Sequence, residues 1–207
     1  EKRNVALITG VTGQDGSYLA ELSRFLWGKS VRATERGEMA KADAEYGLQV
    51  VCREFAEPFG MEISKEKTPE IYRLLLDALT TCDEISWNPK NHFMRRRPFM
   101  VFHEPSLQPK DDAALSKNGS FPSGHTILGW SAALLLSEIN PDRAEAIVNR
   151  GYLYGESRVI VGAHWQSDVN AGYLYASVAY AKLHTSDRFL KQMEKARKEF
   201  KKLSGKK

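Results

Sequence analysis

The chain has 207 residues, 42% hydrophobic and 27% charged, which suffices for one globular domain with a sizeable core. Net charge is +4 and mean hydropathy is −0.44. The longest apolar block, near Ala132 to Leu136, falls far short of the roughly 18 residues a membrane span needs. Much of the positive excess lies in the tail KQMEKARKEFKKLSGKK, where Glu and Lys alternate as on a solvated helix face rather than in a nucleic-acid-binding arm.

No basic stretch followed by an apolar run opens the chain, so no signal peptide is visible. The opening instead reads NVALITGVTGQDGSYLAEL. The apolar run Val5 to Ile8 resembles a buried strand, Gly10, Gly13 and Gly16 follow at three-residue spacing, and a helix is predicted from near Ser17. GKSVRATER offers a second strand, with Arg32 or Arg36 placed for a cofactor phosphate. Beyond residue 40 the chain reads as helical. TPEIYRLLLDALTTCDE has Thr68 as N-cap, Pro69 at the first helical position, and one apolar stripe: Ile71, Leu74, Leu75, Ala78, Leu79 and Cys82. The stretch from Phe99 to Phe121 reads as a mobile loop and a cleft wall. GHTILGWSAALLLSEI is apolar on most sides, hence central; it stops at NPDR, where Asn140 caps the next helix and Pro141 starts it. AEAIVNRGYLYGESRVIVG and DVNAGYLYASVAYAKLH follow as helices. The last helix, from Asp187, is predicted to bury Phe189, Leu190, Met193, Ala196 and Phe200. Cys52 and Cys82 lack metal-site spacing and are read either as one disulfide or as buried thiols.

Three stretches concentrate polar residues in this apolar framework. KNHFMRRRP sets Lys90 and Arg97 seven residues apart, PSGH spans Pro122 to His125, and SRVIVGAHWQSD carries Ser157, Arg158, His164 and Asp168. A phosphoryl group in transfer spreads negative charge over three equatorial oxygens. Lys90, Arg97 and Arg158 match that charge, the Ser123 hydroxyl can donate to it, and Gly124 lets its backbone N–H approach closely. A helix beginning at Gly124 would add its N-terminal dipole. His164 and Asp168 are four residues apart, about one helical turn, so the carboxylate can fix the imidazole tautomer and leave the other nitrogen free to attack. His125 remains for acid–base work. Arg95 and Arg96 read as a solvated patch with no role, and His92, His103 and His184 as ordinary surface or packed residues. No ligand cluster for a metal accompanies these residues.

The pattern K-x6-R-P, then PSGH, then S-R-x5-H-x3-D is similar to the signature of the phosphatidic-acid-phosphatase and vanadium-haloperoxidase superfamily. Around it, TERG, LSKNGSFPSGHT, EINP and HWQSDV resemble the bacterial class A non-specific acid phosphatases, from about Ser23 onward. The resemblance implies an all-α helical bundle and metal-independent hydrolysis of phosphomonoesters with broad specificity and no cofactor, in some relatives with phosphotransfer to nucleosides. It implies His164 as nucleophile, Asp168 as its orienter, His125 as general acid, and Lys90, Arg97, Ser123, Gly124 and Arg158 as phosphate ligands. It also implies a periplasmic or secreted homo-oligomer, with small-molecule substrates rather than nucleic acid or membrane as partners.

Residues 1–22 depart from that family and resemble the start of a GDP-mannose 4,6-dehydratase, whereas WGKSVRATERGEMA also fits the phosphatase family as its early helix. They are read as a foreign segment preceding a phosphatase domain at 23–207. A dinucleotide site needs several further strands, which the helical remainder does not supply, and the Tyr-x-x-x-Lys pair of short-chain dehydrogenases is absent. The segment is therefore expected to bind no NAD(P) and to leave the phosphate chemistry untouched, every named site residue lying at or beyond Lys90. The competing reading is a non-catalytic or NAD(P)-binding chimera.

Overall fold

A computed structural model of the protein describes residues 14–205. Helix α1 (Gln14–Ser30), α2 (Glu35–Ala42), α3 (Leu48–Phe59), α4 (Pro69–Glu84) and α5 (Trp87–Phe93) come first. The short helices α6 (Pro98–Val101) and α7 (Pro109–Leu115) precede the long α8 (Gly124–Ile139). A 3₁₀ turn at Pro141–Arg143 leads into α9 (Ala144–Val161), α10 (Gln166–Leu183) and α11 (Asp187–Ser204). No strand occurs among the described residues, and none of their helices is long and apolar enough to cross a membrane. The expected all-α class is what forms.

Helix α8 is the spine. Nearly every side chain from Gly124 to Ile139 is buried, as expected of a helix apolar all round. It packs chiefly on α9 and α10, and also on α4 and α3. The stripe from Ile71 to Cys82 on α4 lies in this core with Phe55 and Phe59 of α3 and Phe189, Met193, Ala196 and Phe200 of α11. Pro69 opens α4, with Thr68 before it as expected. The Thr68 hydroxyl, however, accepts from Ser64 N (2.9 Å), and the free amides of Glu70 and Ile71 donate to Glu199 on α11 (3.1 and 2.9 Å). One helix thus caps another across the core.

Several expectations are corrected. Leu190 is 43% exposed, turned away from the apolar seam of α11. Asn140 donates its side-chain amide to Phe59 O (2.8 Å), and Pro141 opens a 3₁₀ turn rather than α9 itself. The Phe99–Phe121 stretch is folded over α6 and α7 instead of forming one open loop. Of the two readings left open for Cys52 and Cys82, the second holds: both are buried free thiols. GKSVRATER is not a strand: it is the end of α1, a turn and the start of α2. Arg32 donates to the last carbonyls of α9, Ile160 O (2.8 Å) and Val161 O (3.1 Å), a favourable place for a cation. Arg36 donates to Ser157 Oγ (3.0 Å) and Leu153 O (2.8 Å). Neither is free for a cofactor phosphate. Val5 to Ile8, Gly10 and Gly13 lie outside the described residues; Gly16 is buried within α1, which begins at Gln14, before the predicted start.

Two close approaches set the position of the site. A Cβ on Gly28 would stand 2.9 Å from Val159 O, so α1 lies directly on α9. A Cβ on Gly172 would stand 2.7 Å from Thr126 Cβ, so α10 touches the first turn of α8. Gly172→Ala should therefore destabilise the fold by about 1–3 kcal/mol, read as a lower urea midpoint. Val178→Ala, on the 71%-exposed side of the same helix, should stay within about 0.5 kcal/mol of the parent.

Candidate active site

The N-terminus of α8, the C-terminus of α9 and the N-terminus of α10 converge at the inner end of one cavity of about 730 Å³. Ser123 N donates to Asp168 O (3.0 Å), tying the start of α8 to the first turn of α10. Lys90, Arg97, Gly124, His125, Arg158 and His164 all line this cavity. Residues spread over 75 positions of sequence are thereby brought together as the spacing suggested. Ser123 is fully buried beneath them as the N-cap of α8, its hydroxyl oxygen accepting from Thr126 N (3.3 Å) and Thr126 Oγ1 (2.9 Å). Gly124 is the first residue of the helix, so its amide is one of the groups an α-helix leaves without an internal acceptor.

Arg97 is held from several sides. Nε donates to Leu115 O (2.8 Å), Nη1 to Ala163 O (3.0 Å), and Nη2 to Asn118 Oδ1 and Gly119 O (3.3 Å). Nη1 also lies 3.1 Å from His164 Nε2. A guanidinium can only donate, so Nε2 must present its lone pair, and the proton of neutral His164 sits on Nδ1. Nδ1 faces Asp168 Oδ2 at 3.6 Å, too long for a hydrogen bond. The reason is that His164 precedes α10 instead of standing one turn back on it, so the expected i,i+4 geometry is opened. Asp168 is spoken for elsewhere: Oδ2 accepts from Trp165 N (2.9 Å) and Oδ1 from Arg95 Nη1 (2.6 Å). Arg95, read from sequence as a bystander in RRR, is bound to the buried carboxylate behind the imidazole.

His125 Nε2 lies 3.1 Å from Ala44 O. A carbonyl can only accept, so Nε2 carries the proton and Nδ1 is the nitrogen left to exchange one. The ring packs edge-on against Tyr46 at 4.7 Å, and Tyr46 donates to Asp83. Ala44 is positioned by its neighbour: Asp43, fully buried, accepts from Arg150 and from Ser157 Oγ (2.6 Å), the residue before Arg158. Asp43, Tyr46, Asp83 and Asn118 were missed by sequence reasoning. Only their place in the fold marks them.

Arg158 is the most telling side chain. It is buried to 1% exposure, and its Nε and Nη1 have no hydrogen-bond partner. Burial lowers its pKa to about 10, still well above neutrality, so it is a buried cation facing a cavity. Arg97 is lowered to about 10 by burial and then by Arg158. Lys90, which donates to Gly119 O (3.2 Å), is lowered to about 7 by burial and then by Arg97. Burial, then the neighbouring cations, pushes His164 well below the usual histidine range; burial, then Arg158, does the same to His125. Five groups that resist further positive charge surround one space. An oxyanion relieves all of them at once. Among the described residues no three His, Cys, Asp or Glu side chains are grouped to hold a metal ion.

Residues 73–189 match the family model of the PAP2 superfamily. The chain is 44% identical over 187 residues to the non-specific acid phosphatase of Providencia stuartii, covering 90% of this chain and 75% of that one. It is 38% identical to the non-specific acid phosphatase of Salmonella typhimurium over 89% and 74% of the two chains, and 41% identical to the acid phosphatase of Zymomonas mobilis over 84% and 66%.

Inorganic phosphate should bind this cavity and raise the melting temperature. Arg158→Met should weaken that binding roughly 10- to 100-fold, the loss of charge-assisted hydrogen bonds. The empty variant should melt no lower than the parent, since an unpaired buried cation is replaced by an apolar chain. Calorimetric titration and a melting curve check the two halves.

Proposed function

The chain belongs to the PAP2 superfamily, and on that premise we propose that it is a metal-independent acid phosphatase that hydrolyses phosphomonoesters through a phosphohistidine. The observation that carries this reading is the buried, unpartnered Arg158 lining the same cavity as a His164 whose Nε2 lone pair is held by Arg97 Nη1. The names of the relatives agree with the acid phosphatase part of this reading.

In the proposed reaction the phosphoryl group enters among Lys90, Arg97 and Arg158, with the Ser123 hydroxyl and the Gly124 amide as further donors. The anion takes over the Arg97 contact to His164 and frees the Nε2 lone pair. Nε2 attacks phosphorus in line with the ester oxygen. Charge building on the equatorial oxygens is met by fixed cations that need no reorganisation. Asp168 stabilises the positive charge that develops on the imidazole. The bound anion also raises the pKa of His125, which then delivers a proton from Nδ1 to the leaving alkoxide while Nε2–H stays on Ala44 O. In the second half, neutral His125 draws a proton from water as that water attacks the phosphohistidine, and phosphate leaves. An alcohol in place of water gives phosphotransfer. The outer cavity, walled by Tyr46, Trp87 and α7, is wide relative to one phosphate and fits varied leaving groups. Residues 23–207 carry every group that touches the phosphate in this reading, with the extracytoplasmic, homo-oligomeric setting that the family resemblance implies.

Acid-quenched protein, reacted with p-nitrophenyl phosphate in the presence of a chelator, should carry phosphate on His164. His164→Ala should lose about three orders of magnitude in kcat, and vanadate should inhibit as a five-coordinate mimic. Phosphate on His125, or activity that vanishes in chelator and returns with a divalent metal, overturns the assignment.

The pH profile should be bell-shaped with an acidic optimum. Protonation of His164 removes the nucleophile, and its lowered pKa sets that limb below the ordinary histidine value of about 6.5. Lys90 is charged below about pH 7 and neutral above it, so kcat/KM should fall as pH rises through that value. Lys90→Arg, charged throughout, should move the basic limb up by about one unit or more. A basic limb that stays in place would clear Lys90 of this role.

A further inference from the structure

Glu21 lies in the part of the chain that the sequence sets aside as foreign, yet its carboxylate ends on the first turn of α10, two residues past His164. Oε2 accepts from Gln166 N (2.8 Å), and Oε1 accepts from Ser167 N (3.1 Å) and from the Ser167 hydroxyl. Ser167 Oγ in turn accepts from Arg95 Nη1 (2.7 Å), the same nitrogen that donates to Asp168 Oδ1 (2.6 Å). Arg95 Nη2 is 3.6 Å from Glu21 Oε1, and the Glu21 side chain is only 13% exposed. Glu21, Ser167 and Arg95 form a closed polar ring, and Asp168 is joined to it through Arg95.

The ring answers a local deficit. Helix α10 begins at Gln166, and its first amides have no acceptor within the helix. The residue before them is Trp165, whose indole can only donate, so the usual N-cap side chain is missing. Asp168 turns back to Trp165 N and to Arg95, and serves neither Gln166 N nor Ser167 N. Glu21 supplies both acceptors from another helix, as Glu199 does for α4. Removing it strands two amides, a hydroxyl and part of Arg95 at a largely buried spot. The segment then free to shift is the turn that sets Asp168 at 3.6 Å from His164 Nδ1.

We propose that Glu21 is a positioning residue for phosphoryl transfer. It fixes the first turn of α10 and holds Arg95 in its bridging place, so that Asp168 faces the nucleophile. It touches neither the substrate nor His164, and its role rests on the phosphohistidine reading above. The phosphate-holding groups, Lys90, Arg97, Ser123, Gly124 and Arg158, stand on other segments. Loss of Glu21 therefore falls on the chemical step and spares binding.

The test measures kcat, KM and the rate of acid-trapped phosphoenzyme formation with p-nitrophenyl phosphate, in the full chain and its Glu21→Ala and Glu21→Gln variants, with circular dichroism melts. Glu21→Ala should lower kcat about 10-fold or more, slow phosphoenzyme formation in parallel, and leave KM within about 3-fold. Glu21→Gln keeps one carbonyl acceptor and should recover part of the loss. A folded Glu21→Ala protein with kcat within about twofold of the parent, or one in which only KM rises, overturns the proposal. If Glu21→Ala does not fold, the same two criteria apply to Glu21→Gln. A parent chain that hydrolyses the ester without trappable phosphohistidine removes the preceding reading and this one with it. Intact trapping in the parent marks a failure as belonging to Glu21 alone.

Discussion

Carrying guanidinium groups into a protein interior is the constraint around which this molecule is arranged. Arg97 and Arg158 retain almost no exposed surface, and a buried charge without compensation costs several kcal/mol. The chain meets the demand of Arg97 with oxygens of Leu115, Asn118, Gly119 and Ala163, which ties the stretch from the end of α7 to Gly119 against the turn after α9. It leaves part of Arg158 unmet. That residue is a standing deficit in the empty protein, and the cavity is shaped around it. The helical core exists to hold such a deficit still: α8, buried on all sides, lets neither its own N-terminus nor the ends of α9 and α10 relax toward the cations.

A second theme is that helix ends are satisfied from a distance. Glu199 reaches from α11 to the start of α4, Glu21 from α1 to the start of α10, and Arg32 from the end of α1 to the end of α9. Each contact joins elements far apart in the chain and fixes the axial position of a helix, which apolar packing alone defines loosely. For α10 this matters most, because the helix delivers Asp168 at its third residue. A slide of a fraction of an ångström along its axis moves the carboxylate relative to His164 Nδ1.

The legible parts of the sequence were those governed by local rules. Pro69, the apolar stripe of α4 and the all-round apolar α8 follow from helix periodicity and capping, and the structure bears them out. The gathering of Lys90, Arg97, His125, Arg158 and His164 was readable because those residue types in that order suit one oxyanion. What escaped was set by tertiary contacts. Arg95 is indistinguishable from its neighbours in RRR until α10 comes to lie beside it. Asp43 looks like any acid in a polar stretch, and only the approach of Arg150 and Ser157 buries it. Glu21 was hidden by a glycine motif that drew attention to a different chemistry. Leu190 failed in the opposite direction: it has helical spacing, but α11 buries a stripe narrower than its run of apolar residues. The His164–Asp168 spacing was read as a turn of helix, and the helix begins two residues too late for that.

The contact between His125 and the carbonyl of Ala44 has a consequence for how the site can be altered. The acceptor is backbone, so no side-chain replacement at position 44 deletes it, and an alanine scan passes over it in silence. The tautomer of His125 is written into the path of the main chain between α2 and α3, and beneath it into Asp43. The tautomer of His164 is set chiefly by a side chain, Arg97, which a single codon can change, with the main chain at Ser120 as a further partner of the ring. Of the two imidazoles at the centre of this cavity, one is protected by geometry from mutational drift and the other stands open to it. Variation in the chemistry of such a site therefore has an easier route through His164 and its partners than through His125.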